Sequence, residues 1–136
     1  MTDIKHDQWT EEVAALLAPA MAADPLATIE TVRQRVEQGA QSLFVVREEG
    51  EIVGAFTLTL EEVELGRELV VPVAGSKSAR PLSRDVVPFI AARAEELGAA
   101  FVRVHVPSAI WARALSRYGW KAGEMVMRKE VGHGRA

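Results

Sequence analysis

Small, hydroxyl-bearing and basic side chains are concentrated in one loop, "AGSKSARPLSRD", at residues 74–85. A helix is predicted to begin where this loop ends, and the first N–H groups of a helix attract anions. Hydroxyl and cationic groups add charge-assisted hydrogen bonds to a phosphate. The same composition is typical of a solvated surface loop, and the sequence leaves both interpretations open. The side chains available to an anion are Ser76, Lys77, Ser78, Arg80, Ser83 and Arg84.

The sequence lacks the residues or the residue spacing that disulfides, thiol catalysis, metal binding and serine-hydrolase catalysis require. The chain has no cysteine, which excludes disulfides, thiol catalysis and thiolate metal sites. His6, His105 and His133 do not have the spacing of metal ligands, so no metal site is expected. His105 alternates with two valines and is interpreted as a hydrogen-bonded histidine of the core or of a cleft. No nucleophile elbow or Ser-His-Asp order is present.

Charge is distributed unevenly along the chain. Residues 1–66 contain four basic and 13 acidic side chains, a net charge of −9, whereas residues 67–136 contain 12 basic and six acidic, a net charge of +6. The second half is therefore the expected place for an anionic ligand, unless the two charged faces only solvate one fold. Arg113 and Arg117 form a basic stripe with few aromatic neighbours, so nucleic-acid binding is not expected.

Length and hydrophobicity favour one globular domain over residues 1–136, with flexible ends at 1–9 and 132–136. The N-terminal stretch is polar and acidic, unlike a secretory signal, and no run of about 18 apolar residues exists to span a membrane. The expected location is the cytoplasm.

Hydrophobic spacing sets the order of the elements. Asp24 is predicted to cap the second helix. In the third helix, a start at Ser83 leaves Pro88 inside the helix, whereas Asp85 as the N-cap would place Pro88 in the first turn, where proline is tolerated. Trp9 and three aromatic residues of the last third are assigned to buried positions: Trp111, Tyr118 and Trp120. The predicted helices cover 10–22, 24–39, 83–97 and 108–118; the predicted strands cover 43–46, 52–60, 68–74, 99–106 and 123–131.

Four segments, in this order, resemble the GNAT superfamily of acyl-coenzyme A N-acyltransferases. "LFVVREEGEIVGAFTL" resembles the central hairpin of that family, and "ELVVPV" resembles the strand that pairs with pantetheine. "ARAEELGAAFVRVHV" resembles the helix and strand that follow, and "ALSRYGW" the helix that often ends in Gly-Phe. The resemblance covers residues 10–131. The chain is also similar to small GNAT-type proteins encoded by tailed phages.

The resemblance implies an α/β (α+β) fold, with a mixed, mostly antiparallel sheet flanked by helices on both faces. The strands at 68–74 and 101–106 would be parallel neighbours joined by the helix of 83–97. The implied reaction transfers an acetyl group from acetyl-CoA to a small-molecule or peptide amine, with Glu68 as the general base. The implied residues for acetyl-CoA are Val71, Val73, Gly75, Ser76, Lys77, Ser78, Arg80 and Ser83.

The sequence departs from the family at three positions that matter. The glycine motif that usually cradles the pyrophosphate is absent, since the only glycine of the loop is Gly75, at its start, so weak binding of acetyl-CoA is expected. Leu115 stands where many members have the tyrosine that protonates the thiolate, and Ser108 stands where they have asparagine. The alternative function is therefore a catalytically inactive GNAT-fold component that binds a protein partner, in the host cytoplasm or the virion if the chain is phage-encoded.

Overall fold

The computed structural model describes residues 2–21, 27–78, 81–104, 109–123 and 129 of the 136-residue chain. Its strands are β1 (Thr2–His6), β2 (Ser42–Glu48), β3 (Glu51–Val63), β4 (Gly66–Val71), β5 (Ala74–Ser76) and β6 (Phe101–Val104). Its helices are α1 (Glu11–Met21), α2 (Ile29–Glu37), α3 (Ser83–Glu96) and α4 (Ala109–Ser116).

The described strands form one mixed sheet in the order β1-β2-β3-β4-β6, and β5 pairs with β3 beyond the end of β4. All neighbouring strands run antiparallel except β4 and β6, which are parallel and connected through α3. The predicted parallel pair is therefore confirmed. A parallel pair requires a crossover connection, and the 14 residues of α3 supply it.

Both faces of the sheet are covered, which explains why the central strands are almost continuously apolar. In β2, Leu43 and Val45 pack with α1 and α2, whereas Phe44 and Val46 pack with α3. Side chains of a strand alternate between faces, so such a strand needs an apolar residue at every position. The predicted α/β class, with helices on both faces, is confirmed.

The second helix begins later than predicted. The α2 helix begins at Ile29 rather than near Asp24, because the Thr28 hydroxyl accepts a hydrogen bond from Thr31 N–H at 3.3 Å and caps it. Residues 22–26 lie outside the described part of the chain.

The α3 helix begins at Ser83, where the predicted range 83–97 begins, so the alternative start with Asp85 as N-cap is wrong and Pro88 lies inside the helix. The Leu82 side chain is buried in the core, and the Leu82 carbonyl accepts hydrogen bonds from Asp85 and Val86 N–H. Packing of Leu82 thus sets the start of this helix and overrides the local proline signal.

Residues 2–6, which the sequence predicted as part of a flexible end, form a strand. β1 pairs with β2 over five residues, and Asp7 then donates its N–H to the Leu43 carbonyl at 3.1 Å. Arg47 Nη2 lies 2.7 Å from Asp7 Oδ2, and this hydrogen bond lowers the pKa of the Asp7 carboxyl. The predicted last strand and the tail at 132–136 fall mainly on residues 124–128 and 130–136, which lie outside the described part.

The predicted burial of the aromatic residues is met only in part. Trp9 and Trp120 are half-buried. Tyr118 is 43% exposed, so its assignment to the core is wrong. The reason is that α4 ends at Ser116, and the helical spacing that favoured a buried Tyr118 does not continue into the turn. The side chain of Trp111 lies outside the described part.

Candidate functional site

The parallel ladder of β4 and β6 ends at the pair Val71 and Val104. The sequence predicted one strand over 68–74, but Pro72 and Val73 interrupt it, and the chain resumes as β5 against β3 only. Proline cannot donate a hydrogen bond to a sheet ladder, which accounts for the interruption. Beyond Val71, no described strand pairs with the outer edge of β5.

A cavity of about 240 Å³ opens at this edge. Its mainly apolar walls include residues of α1, α3 and α4 and of the strands β2 to β5. Of the residues implied for acetyl-CoA, five line this cavity, although they are spread over 13 positions of sequence: Val71, Val73, Gly75, Ser76 and Ser83. The structure thus brings these five predicted residues together.

The backbone groups along β5 form hydrogen bonds with β3 on one side of the strand, and some of them have no partner among the described residues. The carbonyl of Val73 accepts a hydrogen bond from Thr57 N–H at 3.0 Å, and Lys77 N–H donates to the Val53 carbonyl at 2.9 Å. In an antiparallel ladder such residues normally exchange two bonds, yet Val73 N–H donates to no residue that the structure describes. Because orientation alternates along a strand, the N–H and C=O of Ala74 and Ser76 face the edge away from β3.

Gly75 allows α1 to approach β5 closely. A Cβ atom built on Gly75 would lie 2.1 Å from the carbonyl oxygen of Leu16, which no side chain tolerates. The glycine is therefore required for packing of α1 on the strand that lines the cavity. The sequence singled out Gly75 as a possible phosphate contact; the structure supplies this packing reason for it.

The basic and hydroxyl groups of the predicted anion loop are partly engaged by carboxylates. Lys77 Nζ lies 4.0 Å from a carboxylate oxygen of Glu12 on α1. Ser78 Oγ donates to Glu48 Oε1 at 3.4 Å. Ser83 is the first residue of α3 and lines the cavity. Arg80 lies outside the described residues. An anion at the start of α3 would therefore compete with these two carboxylates.

Glu68 does not line the cavity but belongs to an ion-pair cluster on β3, β4 and β6. Arg103 Nε donates to Glu68 Oε1 at 2.9 Å, and Arg103 Nη2 donates to Glu61 Oε2 at 2.9 Å. The sequence prediction named Glu68 but missed Arg103 and Glu61. The available signal was the predicted parallel pairing, which places the charged residue of "FVRV" beside β4.

Leu115 lines the cavity and is buried, at the position where the family resemblance placed a tyrosine in many relatives. Its side chain has no proton to donate. Trp120 also lines the cavity, whereas Tyr118 is exposed and is not among the lining residues. The described wall therefore contains no phenol.

The described part of the chain contains neither a cluster of metal ligands nor a helix that could span a membrane. Within the described ranges, no group of histidine, aspartate or glutamate side chains is arranged to hold a metal ion. His6 contacts the Phe44 ring edge-on, and His105 and His133 lie outside those ranges. None of the helices in the described part of the chain has the length and apolar character that crossing a bilayer needs.

Comparison with solved structures identifies the fold. The chain is similar to ribosomal-protein-alanine N-acetyltransferase from Brucella melitensis (TM-score 0.73, 18% identity, 96% of this chain and 100% of that one). Glucosamine-6-phosphate N-acetyltransferase from Arabidopsis thaliana has a TM-score of 0.69 and 17% identity, over 96% and 98% of the two chains. A predicted acetyltransferase from Clostridium acetobutylicum, solved with acetyl-CoA, has a TM-score of 0.67 and 9% identity, over 96% of each chain. No protein-family model and no curated protein matches the sequence.

Proposed function

Starting from the GNAT fold, which the chain shares with these acetyltransferases, we propose that it transfers an acetyl group from acetyl-CoA to an amine. One observation carries the proposal. The parallel ladder stops at Val71 and Val104, and a mainly apolar cavity opens there beside a strand edge whose backbone groups have no described strand as a partner. Ligands of open sheets commonly bind where neighbouring strands separate.

The residues present fit the pantetheine part of acetyl-CoA. The edge of β5 offers the N–H and C=O of Ala74 and Ser76 to the amide groups of that chain, as an additional strand would. Val71, Val73 and Trp120 would contact its apolar segments. The pyrophosphate would lie near the N-terminus of α3, held by Ser76, Lys77, Ser78, Arg80 and Ser83.

When bound, acetyl-CoA supplies a thioester whose carbonyl carbon is attacked by the amine. The N–H of Val73 would donate a hydrogen bond to the thioester oxygen as negative charge develops on it. Glu68 would take a proton from the acceptor ammonium group, directly or through water, and the neutral amine so formed would attack the thioester carbon. Leu115 and Trp120 would limit the access of water to the cavity.

The departing thiolate would take its proton from water, because Leu115 occupies the place of the usual tyrosine. A positioned acid is worth about 10²–10⁴ in rate, so turnover should be slow. The same observation favours a second candidate function, an inactive GNAT-fold component that binds a protein partner. Arg113 on α4 and Arg117 in the turn after it are exposed and form no ion pair within the described ranges, so they are the expected contact of such a partner.

The proposed acceptor is an amine. The solved relatives act, by their names, on a ribosomal-protein alanine and on glucosamine 6-phosphate. These acceptors share an amino group and little else. A fold that serves both does not select the acceptor, which depends on the side chains around the site.

The test is acyl transfer from acetyl-CoA to a panel of amines, with wild type and Glu68→Gln. We expect slow turnover that Glu68→Gln reduces about 100-fold, within the usual range for a general base. Glu62→Gln is the matched control: Glu62 is the next residue after Glu61 on β3, pairs with Arg67 and points to the other face of the sheet. Absence of turnover with every amine, together with a partner complex broken by charge reversal at Arg113 and Arg117, would establish the second candidate instead.

A further inference from the structure

Three adjacent strands contribute to one charged cluster, Glu61–Arg103–Glu68. Glu61 on β3 lies directly opposite Glu68 on β4, and Arg103 on β6 lies opposite Val70, one row further along the same face. Because opposite residues of neighbouring strands share a face, this register places both carboxylates within reach of the guanidinium.

The geometry of the guanidinium is specific. Arg103 uses Nε for Glu68 Oε1 and Nη2 for Glu61 Oε2, each at 2.9 Å. A planar fork fixes the direction of both carboxylates, which a lysine ammonium does not do. Glu68 accepts this hydrogen bond through Oε1, and Oε2 has no hydrogen-bond donor among the described residues.

The cluster is partly buried, so solvent screens the hydrogen bonds between its side chains only in part. The side chain of Glu68 is 20% exposed and that of Arg103 is 31% exposed. Two carboxylates directly opposite each other repel, and the guanidinium between them offsets this repulsion. The remaining charge of the three groups is −1, which favours the approach of an ammonium group over that of an anion.

We infer that Arg103 is a positioning residue for Glu68: it holds Oε1 and leaves Oε2 as the oxygen that takes the proton of the acceptor amine. This inference rests on the proposed acyl transfer. Arg103 acts through Glu68 and not on the substrate. Glu61 is the second anchor of the guanidinium and prevents it from swinging with Glu68.

A double-mutant cycle of Glu68→Gln and Arg103→Gln tests the inference, with kcat and the KM values of acetyl-CoA and a primary alkylamine as readouts. We expect Arg103→Gln alone to lower kcat about tenfold while leaving the KM of acetyl-CoA unchanged. In the Glu68→Gln background, the same change should alter kcat less than about twofold, because residues that act as a unit are not additive. Arg103→Lys should recover part of the loss, since it keeps the charge but not the fork.

Thermal unfolding of each variant shows that the compared proteins are folded. If Arg103→Gln does not fold, Arg103→Lys replaces it in the cycle, in the wild-type and in the Glu68→Gln background. A tenfold loss that persists in the Glu68→Gln background would mean that Arg103 has a separate structural role, and would overturn the inference while the proposed function stands. Failure of wild type to acylate any amine would overturn both.

Discussion

β4 and β5 are two parts of one extended segment, and they differ in what lies along their edges. β4 has β3 on one side and β6 on the other. β5 has β3 on one side only, while α1 packs on it through Gly75 and the cavity opens along its outer edge. Two residues, Pro72 and Val73, separate a strand used for stability from a strand edge available to a ligand.

The difference has a simple physical origin. Backbone N–H and C=O groups are nearly always paired when they are buried. At β4 the sheet supplies the partners, whereas at β5 the described chain supplies them on one side only. Under the proposed function, a ligand with its own amide groups would satisfy the other side, and the open edge of β5 would serve as its binding site.

The first prediction tests whether the contact of α1 with β5 supports the site. Gly75→Ala places a methyl group 2.1 Å from the Leu16 carbonyl oxygen, so α1 must move. We expect a loss of about 3 kcal/mol in the free energy of unfolding, the upper end for overpacking. Gly123→Ala is the control, since nothing lies within 4 Å of the added atom. Urea denaturation that gives equal stabilities for the two variants would contradict the close approach.

The second prediction concerns the loop that follows β5. Lys77→Ala should weaken acetyl-CoA binding about tenfold, the lower end for a charge-assisted hydrogen bond because Glu12 shares the ammonium. Glu12→Gln should strengthen acetyl-CoA binding about two- to threefold, since it releases Lys77. The gain is small because an exposed ion pair contributes little free energy. Calorimetry of both variants, with Lys5→Ala on β1 as the control, checks this. No effect at Lys77 would place the phosphates elsewhere.

The third prediction sharpens the account of the cavity wall. Leu115→Tyr introduces a phenol into the wall, where it can protonate a leaving thiolate. We expect kcat to rise about tenfold relative to Leu115→Phe, which has the ring without the hydroxyl. This gain lies below the usual rate enhancement by a positioned general acid, because the surrounding residues do not orient the new phenol. Equal kcat values for the two variants would show that proton supply to the thiolate does not limit turnover.

The fourth and smallest effect concerns the opposite edge of the sheet. The pKa of Asp7 is lowered by the hydrogen bond from Arg47, so the pair stabilises the fold above the ordinary aspartate pKa of 3.8 and ceases to do so as pH falls through the lowered pKa. Asp7→Asn should cost about 0.5 kcal/mol at pH 7, because both side chains are partly exposed. Unfolding measured at pH 7 and pH 2 should show this difference disappear in acid.

The sequence predicted those elements whose residues carry a periodic apolar pattern. The central hairpin, α3 and the parallel neighbours β4 and β6 all have such patterns and were confirmed. β1 was missed because "TDIKH" lacks strict alternation and becomes a strand only by pairing with the edge of β2. The sequence left two starts for α3 open, because the start at Ser83 depends on the tertiary packing of Leu82.

The site was predictable only where neighbours in sequence are neighbours in space. Val71 to Ser76 follow one another along the cavity, so the resemblance located them together. Arg103 lies 35 residues from Glu68, and their hydrogen bond depends on a register that the sequence does not specify. The engagement of Lys77 by Glu12, 65 residues earlier, likewise depends on the packing of α1 on β5.

The central claim is that the open edge of β5 binds acetyl-CoA, and backbone amide NMR of ¹⁵N-labelled protein tests it most directly. With a dissociation constant of about 100 µM or weaker, titration to millimolar acetyl-CoA should shift the amide signals of Val73, Ala74 and Ser76 in a saturable manner. The signals of Leu69 and Val70, which lie in the fully paired β4, should stay nearly unchanged. Unshifted β5 signals at millimolar acetyl-CoA, or shifts confined to other parts of the sheet, would contradict the account.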